Sequence, residues 1–341
     1  MKPNSFLQSA LALGVGVALC TPVVATERGA LRALNGAPGA EISSPQFPGL
    51  YGQFWLQRYE ADRFTDGSGN TPRVALSTPA GTVQVRREGS IDATVFVMRG
   101  TWLTEQRVGE GKFGISAALP LVRLKQSLRL TGEFGAGIPA GVQATVQGQL
   151  DALARASSGS RSGAADLELM PYVDWQSDTD RLALGLGVVA PTGRFDASSA
   201  VNPGAGKFWT LRPLLVAARV WENGLEAGLR ATYSINGRNR DTHNRSGQYL
   251  AADFGAHYAL SEAYKLGLQG FVNWQTTADR CADPVLSLCG KVRVMGLGPS
   301  LSFTSEDGRL FMDAKVLKEF GARNRPEGLS VWLRANVRLD D

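Results

Sequence analysis

Leu225-Glu226-Ala227-Gly228-Leu229-Arg230-Ala231-Thr232-Tyr233-Ser234-Ile235 alternates throughout: Leu, Ala, Leu, Ala, Tyr and Ile fall on one side, Glu, Gly, Arg, Thr and Ser on the other. A period of two is the mark of a strand with one apolar and one polar face. The last such run repeats it, with Leu329, Val331, Leu333, Ala335, Val337 and Leu339 alternating with Ser330, Trp332, Arg334, Asn336 and Arg338. A slip of one residue would turn Arg334 and Arg338 onto the apolar side, so the register is strongly specified. In 264–276, Tyr264, Leu266, Leu268, Val272 and Trp274 share a face opposite Lys265, Gln269, Asn273 and Gln275. Tyr264 and Trp274 stand near opposite ends of that run, where interfacial aromatic residues belong.

Similar runs extend in both directions: 50–60, 91–105, 111–121, 166–176, 181–190, 209–221, 225–235, 248–260, 264–276, 292–304, 309–319 and 329–339. Each is long enough for a tilted membrane span of about 9–11 residues. Short polar connections (106–110, 177–180, 222–224, 261–263 and 305–308) alternate with long ones (61–90, 122–165, 191–208, 236–247, 277–291 and 320–328). This predicts an all-β fold: a single transmembrane antiparallel β-barrel of about 12 strands, with short periplasmic turns, long extracellular loops and both ends on the periplasmic side. A soluble β-sandwich also alternates, but it predicts neither the loop asymmetry nor aromatic residues at strand ends, and its strands are shorter.

The composition agrees. The chain has 341 residues, 40 of them Gly, and a mean hydropathy of −0.10. Beyond the N-terminus no stretch of about 18 apolar residues suggests a helical span. The net charge of +5 is scattered as single arginines rather than gathered into a patch, which argues against nucleic-acid binding. Residues 1–25 read as a signal peptide: Lys2, an apolar run from Phe6 to Cys20, then small residues at Val23 and Ala25 suited to cleavage before Thr26. Leu19 is too bulky for Cys20 to be a lipoprotein site. Residues 26–48 would hang in the periplasm or tuck into the barrel as a plug, and 49–341 would form the barrel. Cys281 and Cys289 are expected to pair as a disulfide in the oxidising periplasm. A metal site there is the poorer reading, because no third or fourth ligand lies near and His243 and His257 are the chain's only histidines.

Residues 61–80 read as a mobile outer loop. Within 122–165 the sequence suggests a hairpin arm (Arg123 to Phe134), an amphipathic piece (Gly141 to Ala156) and a Ser/Gly linker, forming an inward loop or a short helix. Candidate lumen groups are Glu168, Asp174, Glu226, Arg230, Asp253, His257, Gln269, Asn273, Asp313, Lys315, Arg334 and Asn336. Both signs are present, so they can pair across strands, and in a narrow barrel their side chains fill much of the interior. A constricted or gated path is expected. Phe96, Met98, Tyr172, Phe271, Phe311 and Trp332 would supply apolar steps along it. No cofactor and no enzyme chemistry are expected: Asp253 and His257 share a face, with Ser246 nearby in sequence, but as an inward Asp–His contact rather than a catalytic pair. The Gly-rich run 135–141 carries Pro139 and lacks the strand–turn–helix setting of a dinucleotide loop. Arg238, Arg240 and Arg245 in one outer loop could hold lipopolysaccharide phosphates, or simply be solvated.

Several segments carry a family resemblance: Glu41-Ile42-Ser43-Ser44-Pro45 with Pro48-Gly49-Leu50-Tyr51, Ala190-Pro191-Thr192-Gly193-Arg194-Phe195-Asp196, Asn202-Pro203-Gly204-Ala205-Gly206, Thr210-Leu211-Arg212-Pro213, Tyr233-Ser234-Ile235-Asn236 and Trp274-Gln275. Together they resemble the phenol meta-pathway degradation-like family of outer-membrane proteins, also described as SphA-like transporters. The most specific of them is Pro-Thr-Gly-Arg-Phe-Asp, which reads as a strand exit where Pro191 ends ladder donation and Gly193 allows a turn. The resemblance implies a Gram-negative outer-membrane barrel that mediates passive or gated uptake of small hydrophobic, often aromatic, compounds, with outer-membrane lipid and lipopolysaccharide as surroundings. The chain departs from many barrels in ending Val337-Arg338-Leu339-Asp340-Asp341 rather than in Phe. Phe271, Phe311 and Trp332 are the candidate solute contacts, with Asp253, His257 and Arg334 as polar groups of the path. The alternatives are a non-transporting structural or adhesion barrel and an outer-membrane enzyme.

Overall fold

The computed structural model describes residues 31–44, 46–280 and 290–340. Among these, the alternating runs form β1 (Gly49–Phe64), β2 (Arg73–Thr78), β3 (Gly81–Val108), β4 (Gly111–Glu133), β5 (Gly159–Ala164), β6 (Leu167–Gln176), β7 (Asp180–Ala190), β8 (Thr210–Val220), β9 (Leu225–Asn236), β10 (Tyr249–Ala259), β11 (Tyr264–Gln275), β12 (Arg293–Thr304), β13 (Leu310–Arg323) and β14 (Pro326–Arg338), with one helix, α1 (Ala140–Ala156). β14 pairs back onto β1 and β3 pairs with both β1 and β4, so all strands but β2 and β5 close into an antiparallel ring of twelve. Closure leaves no open edge, and every ladder group finds its partner inside the sheet, which hydrocarbon surroundings demand. Each of the twelve predicted runs lies on a ring strand.

The faces follow from the alternation. On β14, Leu333 is 53% exposed while Arg334 beside it is 4% exposed; on β9, Leu229 points out and Glu226 is buried within. The outer surface is a belt of Leu, Val, Phe and Met that only a lipid environment covers without cost. Trp102, Trp221, Tyr258 and Tyr264 are exposed at the short-turn end, Trp209 and Trp274 at the long-loop end. These are the two interfacial girdles.

Three predicted loops are structured instead. The connection 320–328 is a tight hairpin: β13 runs on to Arg323, β14 starts at Pro326, and Asn324 takes φ 54 at the tip. Its charged residues read as loop, yet Arg325 reaches back to the strand and pairs with the inward Glu319 (3.0 Å), which also accepts from Tyr59 (2.8 Å). The stretch 61–90 is mostly strand, because β1 continues to Phe64 and β2 forms a hairpin with the far end of β3. β3 has 28 residues and β4 has 23, more than a span needs, so the pair projects beyond the membrane on the long-loop side.

Within 122–165 the expected arm and the short helix form, and the inward loop and the linker do not. β4 continues to Glu133, α1 follows, and β5 pairs back along β4 from Leu121 to Gln126. The helix forms outside the barrel because Val146, Leu150 and Ala154, spaced four apart, make one buried face. That face meets Val83, Val85, Leu128 and Leu130 of the projecting strands. Gln147 ties it down with both ends of its amide, donating to the Leu130 carbonyl (2.9 Å) and accepting from the Gly132 N–H (3.0 Å).

Candidate functional site

The lumen is occupied by the chain's own N-terminal segment. Residues 31–44 run along the barrel interior from the level of the β8 start, near the long-loop end, to the level of the β9 start at the short-turn end, and held polar contacts mark each step. Arg32 pairs with Asp166 (2.9 Å), hydrogen-bonds the Phe208 carbonyl and lies over the Phe208 ring. Asn35 accepts from Asn273 (3.0 Å), and the Gly36 N–H donates to Asp253 (2.9 Å). Lys315 donates to the carbonyls of Ala37 (3.2 Å) and Pro38 (2.5 Å). Glu41 pairs with Arg334, and Ser43 donates to Glu226 (2.9 Å). The 3-10 turn Ala40–Ile42 sets Ile42 against Met170, Tyr172 and Leu214. Gly36 has φ 75, and a Cβ there would stand 2.4 Å from Leu317 and 3.2 Å from Phe271. Only glycine suits that step.

Below Gly36 the lumen is a packed polar network. Arg334 pairs with Asp313 (3.4 Å) as well as Glu41; Gln269 bridges Asp313 (3.0 Å), Lys315 (2.8 Å) and His257 (3.0 Å). His257 also contacts Ser300 (3.1 Å) and approaches Glu226 (3.7 Å), which Lys265 binds at 2.6 Å. The expected Asp253–His257 contact does not form. Both side chains face inward, but four residues along a strand are about 13 Å apart. Asp253 is held by Arg230 (3.7 Å) and Gly36, while His257 belongs to the layer below.

Above Gly36 the lumen opens into a cavity of about 340 Å³, the size of a small-molecule site. Its wall is largely apolar, with Val95 of β3, Ala118, Pro120 and Val122 of β4, and Phe271 of β11. Four ion pairs punctuate it: Arg32–Asp166, Arg212–Glu168, Arg230–Asp253 (3.7 Å) and Arg325–Glu319 (3.0 Å).

The loop 191–208 folds inward as part of the cavity wall, contributing Phe195, Ala200 and 202–205. Asp166 organises it: one carboxylate oxygen accepts from the Gly193 N–H (2.9 Å), and the other accepts from the Ala205 N–H (3.2 Å) and pairs with Arg32. One residue therefore ties the loop to the N-terminal segment. Gly193 lies at a bend of the strand exit and also serves close approach. Its φ is not positive, and a Cβ would stand 2.9 Å from Gly204. At the solvent side of the loop, hydrogen bonds from Ser198 and from Arg161 (3.0 Å) hold the Asp196 carboxyl down at about 2.

Residues 61–335 match the model of the family described as the MetA pathway of phenol degradation. The chain belongs to that family. The crystal structure of the COG4313 outer membrane channel from Pseudomonas putida F1 superposes with a TM-score of 0.65 at 12% identity, covering 88% of this chain and 98% of that one. The Ralstonia pickettii toluene transporter TbuX gives a TM-score of 0.43 at 8% identity over 94% of this chain and 99% of that one, a level from which nothing further follows. No functionally curated protein matches the sequence. The family, the closed ring and the exposed apolar belt make this a protein of the Gram-negative outer membrane.

In this phenol-degradation family member, the six candidate path residues divide by layer. Phe271 and Asp253 line the outer cavity; Phe311, Trp332, His257 and Arg334 are buried in the wall and network outside it. Trp332 packs with Trp55, Leu317 and Ala37, so it buttresses the N-terminal segment. Phe96 and Met98 are not lumen residues at all. They are exposed on the lipid side, because Val95 and Val97 take the inward positions of β3. The residues missed from the sequence are Arg32, Trp55, Arg99, Asp166 and Arg212. Arg99 could have been found by following parity from Val95 and Val97, but Val95-Phe96-Val97-Met98 is apolar on both faces and hides it. Cys281 and Cys289, and the signal segment 1–25, lie outside the described residues.

Proposed function

We propose that the protein mediates uptake of small hydrophobic, aromatic compounds across the outer membrane. The observation that carries this reading is the apolar-walled cavity of about 340 Å³ on the long-loop side, floored by an N-terminal segment held by hydrogen bonds and ion pairs and not by a strand ladder. A solute enters past the 191–208 loop, rests against Val95, Pro120, Val122 and Phe271, and passes onward when the segment shifts. Residues 31–44 act as a plug, Phe271 and Asp253 meet the solute, and Phe311, Trp332, His257 and Arg334 hold the plug and its surrounding network. Residues 1–25 direct export, and Arg238, Arg240 and Arg245 face lipopolysaccharide phosphates. The assigned role is passage and not catalysis, since the inward carboxylates and His257 are committed to ion pairs or hydrogen bonds.

The test is uptake of a radiolabelled monoaromatic at limiting concentration by a deletion strain carrying the gene or an empty vector. Faster uptake with the gene is expected; equal rates would overturn the reading. The plugged lumen favours one rival, a sealed barrel with a structural role. Proteoliposomes with no aromatic flux above protein-free vesicles would support that rival.

A further inference from the structure

The charges of the outer cavity do not balance. Among the described residues its four carboxylates are each matched by an arginine in the ion pairs described above, and one guanidinium is left over, that of Arg99 on β3. Arg99 donates to the Ser116 hydroxyl (2.9 Å) and lies 5.7 Å from the Trp55 ring, with no carboxylate of the described residues within ion-pairing distance. A cation in an apolar-walled recess carries a large desolvation cost unless an anion answers it. Trp55 lines the same recess from β1, where it pairs with Val97, two residues from Arg99. Its buried indole N–H has no acceptor among the described residues. Neighbouring strands thus present a guanidinium and an unused N–H donor beside an apolar wall.

We propose that the cavity selects aromatic anions, an apolar ring bearing a carboxylate or phenolate, with Arg99 as counter-ion and the Trp55 N–H as second donor. The ring rests on Val95, Pro120, Val122 and Phe271 while the anionic group replaces the missing fifth carboxylate. This deepens the uptake reading and rests on it for the path, but its binding chemistry can be tested separately. A charge-assisted hydrogen bond of this kind favours the anion over a neutral isostere by about tenfold in affinity.

The experiment is equilibrium titration of the full-length protein in detergent at pH 7.5 with benzoate and with benzyl alcohol, for wild type, Arg99→Met and Arg99→Lys. Retention of the heat-modifiable barrel band checks folding of each variant. The expected result is tighter benzoate binding by wild type and Arg99→Lys, and loss of that preference in Arg99→Met. Equal affinities in wild type, tighter benzyl alcohol, no binding of either, or a preference that survives Arg99→Met would overturn the proposal. Parallel flux measurements separate the two readings. Selective binding without flux of either solute sinks uptake alone, whereas flux of benzyl alcohol with no benzoate preference in binding sinks the anion proposal alone.

Discussion

Gly36 shows how much of the gate rests on one position. It turns the N-terminal segment at φ 75 beneath the cavity, pressed between Leu317 and Phe271, while its N–H is held by Asp253. Gly36→Val adds a β-branched side chain where neither the backbone nor the space admits it. The expected outcome is a displaced segment in an intact barrel: single-channel conductance in planar bilayers rises above wild type while the heat-modifiable band persists. Unchanged conductance would mean that the segment yields around the new side chain without opening a path. Neither Gly36 nor Arg32 could be recognised from the sequence, because their stretch follows no strand period and its contacts come from strands far along the chain. Asp166 is equally silent, a single carboxylate at a strand start whose importance comes from two loop N–H groups and Arg32 meeting there. By contrast the inward positions of Asp253, His257 and Arg334 were legible from parity alone; which of them touch was not.

Among the elements, the projecting arm departs most from the predicted pattern. The hydrophobic spacing of α1 was visible in the sequence, but its docking site was not, since Val83 and Val85 read as loop until β2 and β4 pair with that end of β3. Leu150 is 2% exposed against that sheet. Leu150→Asp should release the helix from the arm, since an unpaired buried carboxylate costs several kcal/mol. Limited proteolysis should then cut within 135–160 while the barrel itself stays protease-resistant. Barrel collapse in this variant would show that the arm and the ring fold as one unit. The 191–208 loop teaches a related lesson. Its Gly and Pro residues announce an irregular segment, yet Gly193 and Gly204 are glycines because two backbones touch there, a demand that no local pattern states.

For the whole molecule, the lipid environment and the closed ring are two sides of one constraint. Leu333 sits midway along β14 on the lipid face, so Leu333→Arg should destabilise the barrel by about 2–4 kcal/mol. Urea titration of refolded protein in phospholipid vesicles measures this, and a cost near zero would place that face out of the membrane. The alternation within strands, the twelve strands of the ring and the apolar belt were all determined by the sequence by itself. Period-two patterning is a local property, and a membrane admits few ways to satisfy the backbone of so many strands. What only the tertiary structure decided is the interior: the segment threaded through the lumen, the pairing of most inward charges, and the cavity arginine that meets no carboxylate among the described residues. Those depend on which strands face each other across the ring. That is long-range geometry, and the sign of a residue and its parity carry no record of it.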